Sequence, residues 1–313
     1  MVDSQAVEIN RRRAVIEALF TVVIWGASFV ATKVALQYTG PDVVVWLRFA
    51  MGVVVLGIAV LVGGKFALPE KRDWLYFALL GFLGITFHQW LQSNGLVTAQ
   101  ATTTALIVAT TPVFMALLGW LALKEKLTWL QVVGIFVSVM GVLLVVTRGN
   151  LVQLVSSKFG TPGDFLILVS APNWAMFSVL SRRRLKKYPA ALMMFYVMAF
   201  GWLFSSVLFF AQGGFAQIGK IPLDGWAGIG FLGIFCSGFA YIFWYDALQA
   251  LTAAQTGAFL YLEPVSTVVV AGLILGEQLL FATITGGALI LAGVWLVNQK
   301  KADSKRLETI TPD

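Results

Sequence analysis

PVFMALLGWLALKEKLTWLQVVGIFVSVMGVLLV, residues 112–145, and PVSTVVVAGLILGEQLLFATITGGALILAGVWLV, residues 264–297, are two versions of one pattern. A constant shift of 152 positions pairs Pro112 with Pro264, Glu125 with Glu277, Gly134 with Gly286 and Gly141 with Gly293. Carried backward, the same shift pairs Thr104 with Thr256, Asn94 with Asp246, Phe87 with Phe239 and Gly81 with Gly233. Near the start of each half the shift becomes 148, pairing Ala27 with Ala175, Phe29 with Phe177 and Pro41 with Pro189. Self-similarity of this length marks a duplicated unit, and the rest of the chain is read from it.

Composition identifies the solvent around that unit. The 313 residues are 59% hydrophobic and 12% charged, with a mean hydropathy of +0.85, whereas a soluble chain carries about 25% charged residues. Apolar stretches of about 20 residues cross roughly 30 Å of hydrocarbon as a helix. Ten of them are found, near 14–36, 43–63, 74–96, 100–121, 128–147, 164–182, 189–211, 224–246, 254–275 and 280–298. The expected fold is an all-α membrane protein of ten transmembrane helices. A first five-helix repeat occupies 14–147, a periplasmic linker 148–163, a second five-helix repeat 164–298 and a cytoplasmic tail 299–313. Five is odd, so the second half enters the membrane from the opposite side and the repeats are inverted.

Basic residues orient this arrangement. With both ends inside, the inner segments hold Arg11, Arg12, Arg13, Lys65, Lys71, Arg72, Lys124, Lys126, Arg182, Arg183, Arg184, Lys186, Lys187, Lys300, Lys301, Lys305 and Arg306. The outer loops hold only Arg148, Lys158 and Lys220, a ratio of 17 to 3. The positive-inside rule then places both termini in the cytoplasm of a multi-pass protein of the bacterial inner membrane. The net charge of +7 reads as a topology signal facing anionic lipid; divided among loops, it gives no footprint for nucleic acid. The first apolar run is too long for a signal peptide and reads as a retained span. Cys236 is the sole cysteine, so no internal disulfide forms.

The segments WGASFVATK (25–33), Pro41 with Arg48, the P-x12-E pattern followed by spaced glycines at 112–141, and EPV through GE at 263–277 together resemble the EamA family of the drug/metabolite transporter superfamily. The resemblance covers about residues 18–297. It implies a ten-helix exporter or permease of small metabolites. The lone His88 with aromatic residues around it looks like the aromatic amino-acid exporter branch, although FHQW offers no tyrosine beside the histidine.

Repeat geometry leads independently toward transport: two inverted halves rocking about an axis in the membrane plane open a central site alternately to each side. Other classes lack their signatures. GIGFLG (228–233) fits the dinucleotide fingerprint GxGxxG, but it lies within a span and reads as glycines permitting close helix approach. Gly134 with Gly141, and Gly286 with Gly293, recur every seven residues on one face and read as helix-packing surfaces. One His, one Cys and neither HExxH nor GxSxG argue against an intramembrane enzyme. No cofactor or metal is expected. A channel needs a continuous polar pore. The loop at 148–163 carries no nucleotide-binding signature, so coupling comes from a gradient or is absent. An antiporter exchanging another metabolite or a drug for protons is the alternative within the transport class. The partners are a small-molecule substrate and lipid; the oligomeric state stays open, with a monomer compatible.

Several residues are candidates for the site. In GITFHQWLQSNG (84–95), His88 lies roughly 12 Å below the outer end of its span by helical rise, deep enough to need an internal partner. It either fixes helix packing or lines a pocket with Gln89 and Trp90, where imidazole donates to a carboxylate and the indole face receives an ammonium group. Trp25, Asn173 and Trp174 carry polar edges that require partners in hydrocarbon. Tyr241 stands out from the interfacial aromatics of the eighth span. Pro112 and Pro264 remove backbone donors at matched positions, as kinks or as gating bends. Glu263 lies about 15 Å deep by the same rise, either hydrogen-bonded to a neighbouring helix or carrying protons between two aqueous sides. Glu125 and Glu277 read as interfacial charges, and Lys33 and Arg48 as side chains reaching for headgroups, with anion binding by Arg48 the other option.

The orientation has a direct test. A cysteine at Ala216 in a Cys236→Ser background is expected to react with a membrane-impermeant maleimide added outside the cell, and one at Asp303 is not. Labelling of the Asp303 position from outside reverses the topology.

Overall fold

Hydrocarbon offers no partner for backbone N–H and C=O groups, so a chain that crosses it closes its hydrogen bonds within each segment. The computed structural model describes residues 2–64, 66–123, 127–150, 160–185, 187–250 and 259–298, and all regular structure among them is helical. Glu125 with Lys124 and Lys126, most of the linker and the tail from 299 lie outside the described residues. Helix α1 spans Val2–Leu36 and α2 Pro41–Val62. Helix α3, Lys71–Gly81, passes through a π-helical stretch, Phe82–Phe87, into α4, His88–Thr98. Helices α5 (Ala101–Val108), α6 (Thr111–Leu123) and α7 (Trp129–Val146) complete the first half. The second holds α8 (Pro162–Leu185), α9 (Ala190–Ala211), the short α10 (Gly214–Ile218) and α11 (Leu223–Gly230). A second π stretch, Phe231–Phe239, leads from α11 into α12 (Ala240–Ala250); a 3₁₀ turn, Leu260–Leu262, opens α13 (Glu263–Ile274), and α14 is Phe281–Asn298.

Among the described residues, eight helical segments are long and apolar enough to cross a membrane, and two further apolar helices, Leu260–Ile274 and Phe281–Val297, are shorter. Large apolar side chains such as Leu75, Val207 and Leu273 stand exposed on their outer faces, as they do in a protein surrounded by lipid.

The helices begin and break where the local chemistry directs. Thr128 and Gln131 form a reciprocal capping box at the start of α7, and Thr161 with Asp164 does the same for α8. Pro112 and Pro264 are the second residues of α6 and α13, where a missing N–H costs nothing. Pro112 begins α6 after the turn at 109–110, and Pro264 lies where a 3₁₀ turn passes into α13, so both prolines stand at a change of helical geometry. The carbonyls left at the first break are taken up by Thr110 Oγ1 donating to Ile107 O at 2.6 Å and Thr111 Oγ1 to Val108 O at 2.7 Å.

Packing joins the halves. Helix α1 lies against α11, the second π stretch and α12, α8 against α4, α2 against α9, and α7 against α14. The α7–α14 seam is the most extensive of these contacts. A Cβ added to Gly134 would sit 2.6 Å from Gly293 O, and one on Gly141 would sit 2.6 Å from Gly286 O. Position 134 meets 293 while 141 meets 286, so the two helices run antiparallel. In GIGFLG, a Cβ on Gly228 would lie 3.2 Å from Ala31 O and one on Gly233 2.6 Å from Met51 Cβ, whereas Gly230 faces open space. Two of the three glycines therefore permit close helix approach.

At one end, the loop before α3 is tied to the loop before α9. The Asp73 carboxylate, 2% exposed, accepts from Lys187 Nζ at 2.7 Å and from Tyr188 OH at 2.6 Å, and Lys187 also pairs with Glu70 at 2.6 Å. Hydrogen bonds to Asp73 and Glu70 raise the Lys187 pKa above its ordinary value, so the ammonium stays charged throughout the physiological range.

Replacing Gly141 by leucine is expected to force the seam apart and destabilise the protein by about 1–3 kcal/mol, the cost of overpacking. This is read as a lower melting temperature in detergent. Gly272→Leu, whose added side chain meets open space, should leave the melting temperature nearly unchanged.

Candidate functional site

The centre is built around the two π stretches. A π turn shifts hydrogen bonding from i−4 to i−5 and leaves backbone carbonyls open to other donors. Side chains of the opposite half supply those donors. Asn173 Nδ2 on α8 donates to Leu83 O at 2.8 Å in the first stretch. Trp25 Nε1 on α1 donates to Cys236 O at 3.1 Å in the second. The shift of 148 that aligns the halves pairs Trp25 with Asn173, so two equivalent positions perform the same task with different chemistry. Thr86 Oγ1 donates to Gly201 O at 2.9 Å, adding a further link across the halves.

His88 opens α4 immediately after the first π stretch and is 4% exposed. Its ring lies 4.7 Å from that of Trp174, tilted by 33°, and the Ser170 backbone is within hydrogen-bonding reach. Two polar atoms here are buried without partners among the described residues, His88 Nδ1 and Asn173 Oδ1. Buried polar atoms are normally paired, so hydrogen-bonding capacity is left unused at this point. On the other side of the centre, Trp25 packs against Tyr241 at 5.6 Å and Trp244 at 5.3 Å. Both Tyr241 and Asn173 are buried.

Arg48 corrects the expectation of a side chain reaching for headgroups. It is 5% exposed, with Nε donating to Ser237 Oγ at 2.8 Å and Nη1 to Gln89 Oε1 at 3.0 Å. Gln89 thus enters the site through Arg48. Lys33 also points inward, donating from Nζ to Ala99 O at the C-terminal end of α4, where a helix concentrates partial negative charge. Ser237 carried no signal in the sequence, and a central role for Arg48 entered only as the option of anion binding. A signal for Arg48 was present, since it is the only charge between Val43 and Val62.

Other candidates are placed as follows. Trp90 is half-buried; its carbonyl accepts from Asn94 Nδ2 at 2.9 Å, and its ring has no stacking partner among the described residues. Glu263, the first residue of α13, is half-buried, and its carboxylate makes no hydrogen bond or ion pair among the described residues. Glu277 is a cap: its carboxylate accepts from the backbone N–H groups of Ala101 at 2.8 Å and Thr102 at 3.0 Å, at the start of α5. A groove of about 420 Å³ lined by Arg13, Ile16, Glu17, Phe20 and Phe243 lies nearer the chain's start, and no residue of the central cluster lines it. Among the described residues, no three His, Cys, Asp or Glu side chains come together as metal ligands would.

Apolar helices enclosing a polar, aromatic centre with side chains from both halves are the architecture of a multi-pass membrane carrier. Residues 12–147 and 161–299 each match the EamA-like transporter family, and the chain belongs to that family of small-metabolite transporters. An "uncharacterized transporter" of Archaeoglobus fulgidus is 32% identical over 90% of this chain and 96% of its own length. A "probable terminal-alkyne amino-acid exporter" of Streptantibioticus cattleyicolor is 31% identical over 96% of this chain and 98% of its own. A solved crystal structure matches with a TM-score of 0.62 at 20% identity, covering 95% of this chain and 99% of that one, which shows the fold alone.

Proposed function

We propose that the protein exports amino acids, aromatic ones among them, across the bacterial inner membrane by alternating access, with ten spans in two inverted repeats and both termini cytoplasmic. The observation that carries this reading is the His88–Trp174 pair between α4 and α8, with His88 Nδ1 and Asn173 Oδ1 buried and unpartnered beside it. An aromatic face with unspent donor and acceptor capacity suits a small amphipathic molecule. The antiparallel α7–α14 seam supports the inverted arrangement, because matched helices of the two halves run in opposite directions. The amino-acid class gains support from the Streptantibioticus relative, which is named a probable terminal-alkyne amino-acid exporter.

The test is counterflow of a mixed amino-acid panel in reconstituted vesicles. His88→Ala and Trp174→Ala are expected to lower saturable flux about tenfold or more, the scale of losing a buried hydrogen bond or a ring contact to the ligand. Folded protein, measured by size-exclusion yield, should fall much less. Equal losses of flux and yield assign both residues to packing.

Glu263 supports a second reading, proton coupling, because its carboxylate lacks a partner among the described residues at the start of α13. Glu263→Gln is expected to retain counterflow and to lose any stimulation by an imposed pH gradient. Wild-type flux that ignores the gradient removes the coupling role and leaves facilitated diffusion.

A further inference from the structure

We propose that Arg48 is an anion-recognition residue, its guanidinium receiving the carboxylate of the transported molecule at the centre of the bundle. This rests on the transport reading for the identity of the ligand; the anion site itself stands on geometry. Arg48 is buried, and the groups that hold it are neutral: the Ser237 hydroxyl and the Gln89 amide oxygen accept from it, and the Phe49 ring lies 5.1 Å from its guanidinium carbon. None of the ion pairs among the described residues includes it. A guanidinium presents five N–H donors, so two bonds leave three without an acceptor. A buried cation without a counter-charge is costly, more so in a membrane interior. The two bonds Arg48 makes are ones a neutral amide also makes, so the positive charge is surplus to holding α2 against its neighbours. It calls for an anion that none of the described side chains supplies.

Position and shape agree. Ser237 and Gln89 fix the planar fork from opposite halves of the chain, leaving the Nη2 donors for an oxyanion. Gln89 adjoins His88, whose Nδ1 is buried and unpartnered and whose ring lies on Trp174. Tyr241 lies within electrostatic reach of the guanidinium. An anion at Arg48 is therefore flanked by aromatic side chains that receive the remainder of a molecule carrying one carboxylate and an apolar body.

The experiment titrates the purified protein in detergent, following tryptophan fluorescence, with L-phenylalanine and L-leucine and with their carboxamides, which keep the ammonium group and side chain and lose only the negative charge. Each acid is expected to give a saturable change at a concentration about 10-fold or more below that of its amide, the scale of a charge-assisted hydrogen bond. Arg48→Gln should remove the difference, and Arg48→Lys, which keeps the charge without the fork, should keep the preference at weaker affinity. Amides binding as well as acids, or neither acid giving a saturable change, overturns the proposal, and this wild-type comparison needs no variant to fold. Counterflow of the same compounds separates the two readings. Acid-selective binding without flux leaves the anion site and removes transport; equal flux of acids and amides leaves transport and removes the anion site.

Discussion

A chain surrounded by lipid has to satisfy inside itself every polar group that it carries below the headgroups. Most of this protein meets the requirement with plain helical hydrogen bonding. The exceptions are concentrated where the helices change pitch or break. The π stretches at 82–87 and 231–239 release carbonyls that Asn173 and Trp25 take up, and the break before α6 releases carbonyls that Thr110 and Thr111 take up. Each irregularity is thereby tied to a particular side chain, usually on another helix. Tertiary structure near the centre is held by these hydrogen bonds as well as by side-chain packing.

The same constraint explains why the polar centre depends on both halves. Neither π stretch is satisfied within its own repeat: the first needs α8, and the second needs α1. Arg48 on α2 is likewise held by Gln89 from one half and Ser237 from the other. A relative displacement of the halves would break several of these bonds together, so the centre can hold a small number of discrete arrangements. At one face, the ties from Lys187 and Tyr188 to Asp73 add an electrostatic contact that any such displacement must also release.

How much of this the sequence disclosed depended on the kind of signal. The helical, membrane-embedded character followed from composition, because solvent preference is additive over residues. The glycine contacts of α7 with α14 followed from their recurrence every seven residues, since a repeating gap on one face has few uses apart from close approach. His88, Asn173, Trp174, Trp25 and Tyr241 were chosen because polar edges in hydrocarbon demand partners, and the fold buries or half-buries all five. The π stretches were not legible: their sequences, FLGITF and FLGIFCSGF, are ordinary apolar runs, and the extra residue per turn is fixed by long-range partners. Arg48 was misplaced because a long side chain can reach water from many depths, and only the fold shows which way it points. Trp90 was grouped with His88 and Gln89 because they adjoin in sequence, although neighbours on a helix point in different directions.

The α7–α14 seam has a further meaning. Position 134 of one helix meets 293 of the other, and 141 meets 286, although 134 is the counterpart of 286 and 141 that of 293. This is the exchange that defines an isologous interface, in which one patch meets a second copy of itself across a two-fold axis. A single five-helix chain bearing the α7 surface would already own a self-complementary face, with no partner yet to be invented. Covalent fusion of two such chains fixes their stoichiometry, and each copy is then free to diverge. The tryptophan at 25 and the asparagine at 173 fit that divergence: matched positions, two chemistries, and a centre no longer obliged to be symmetric.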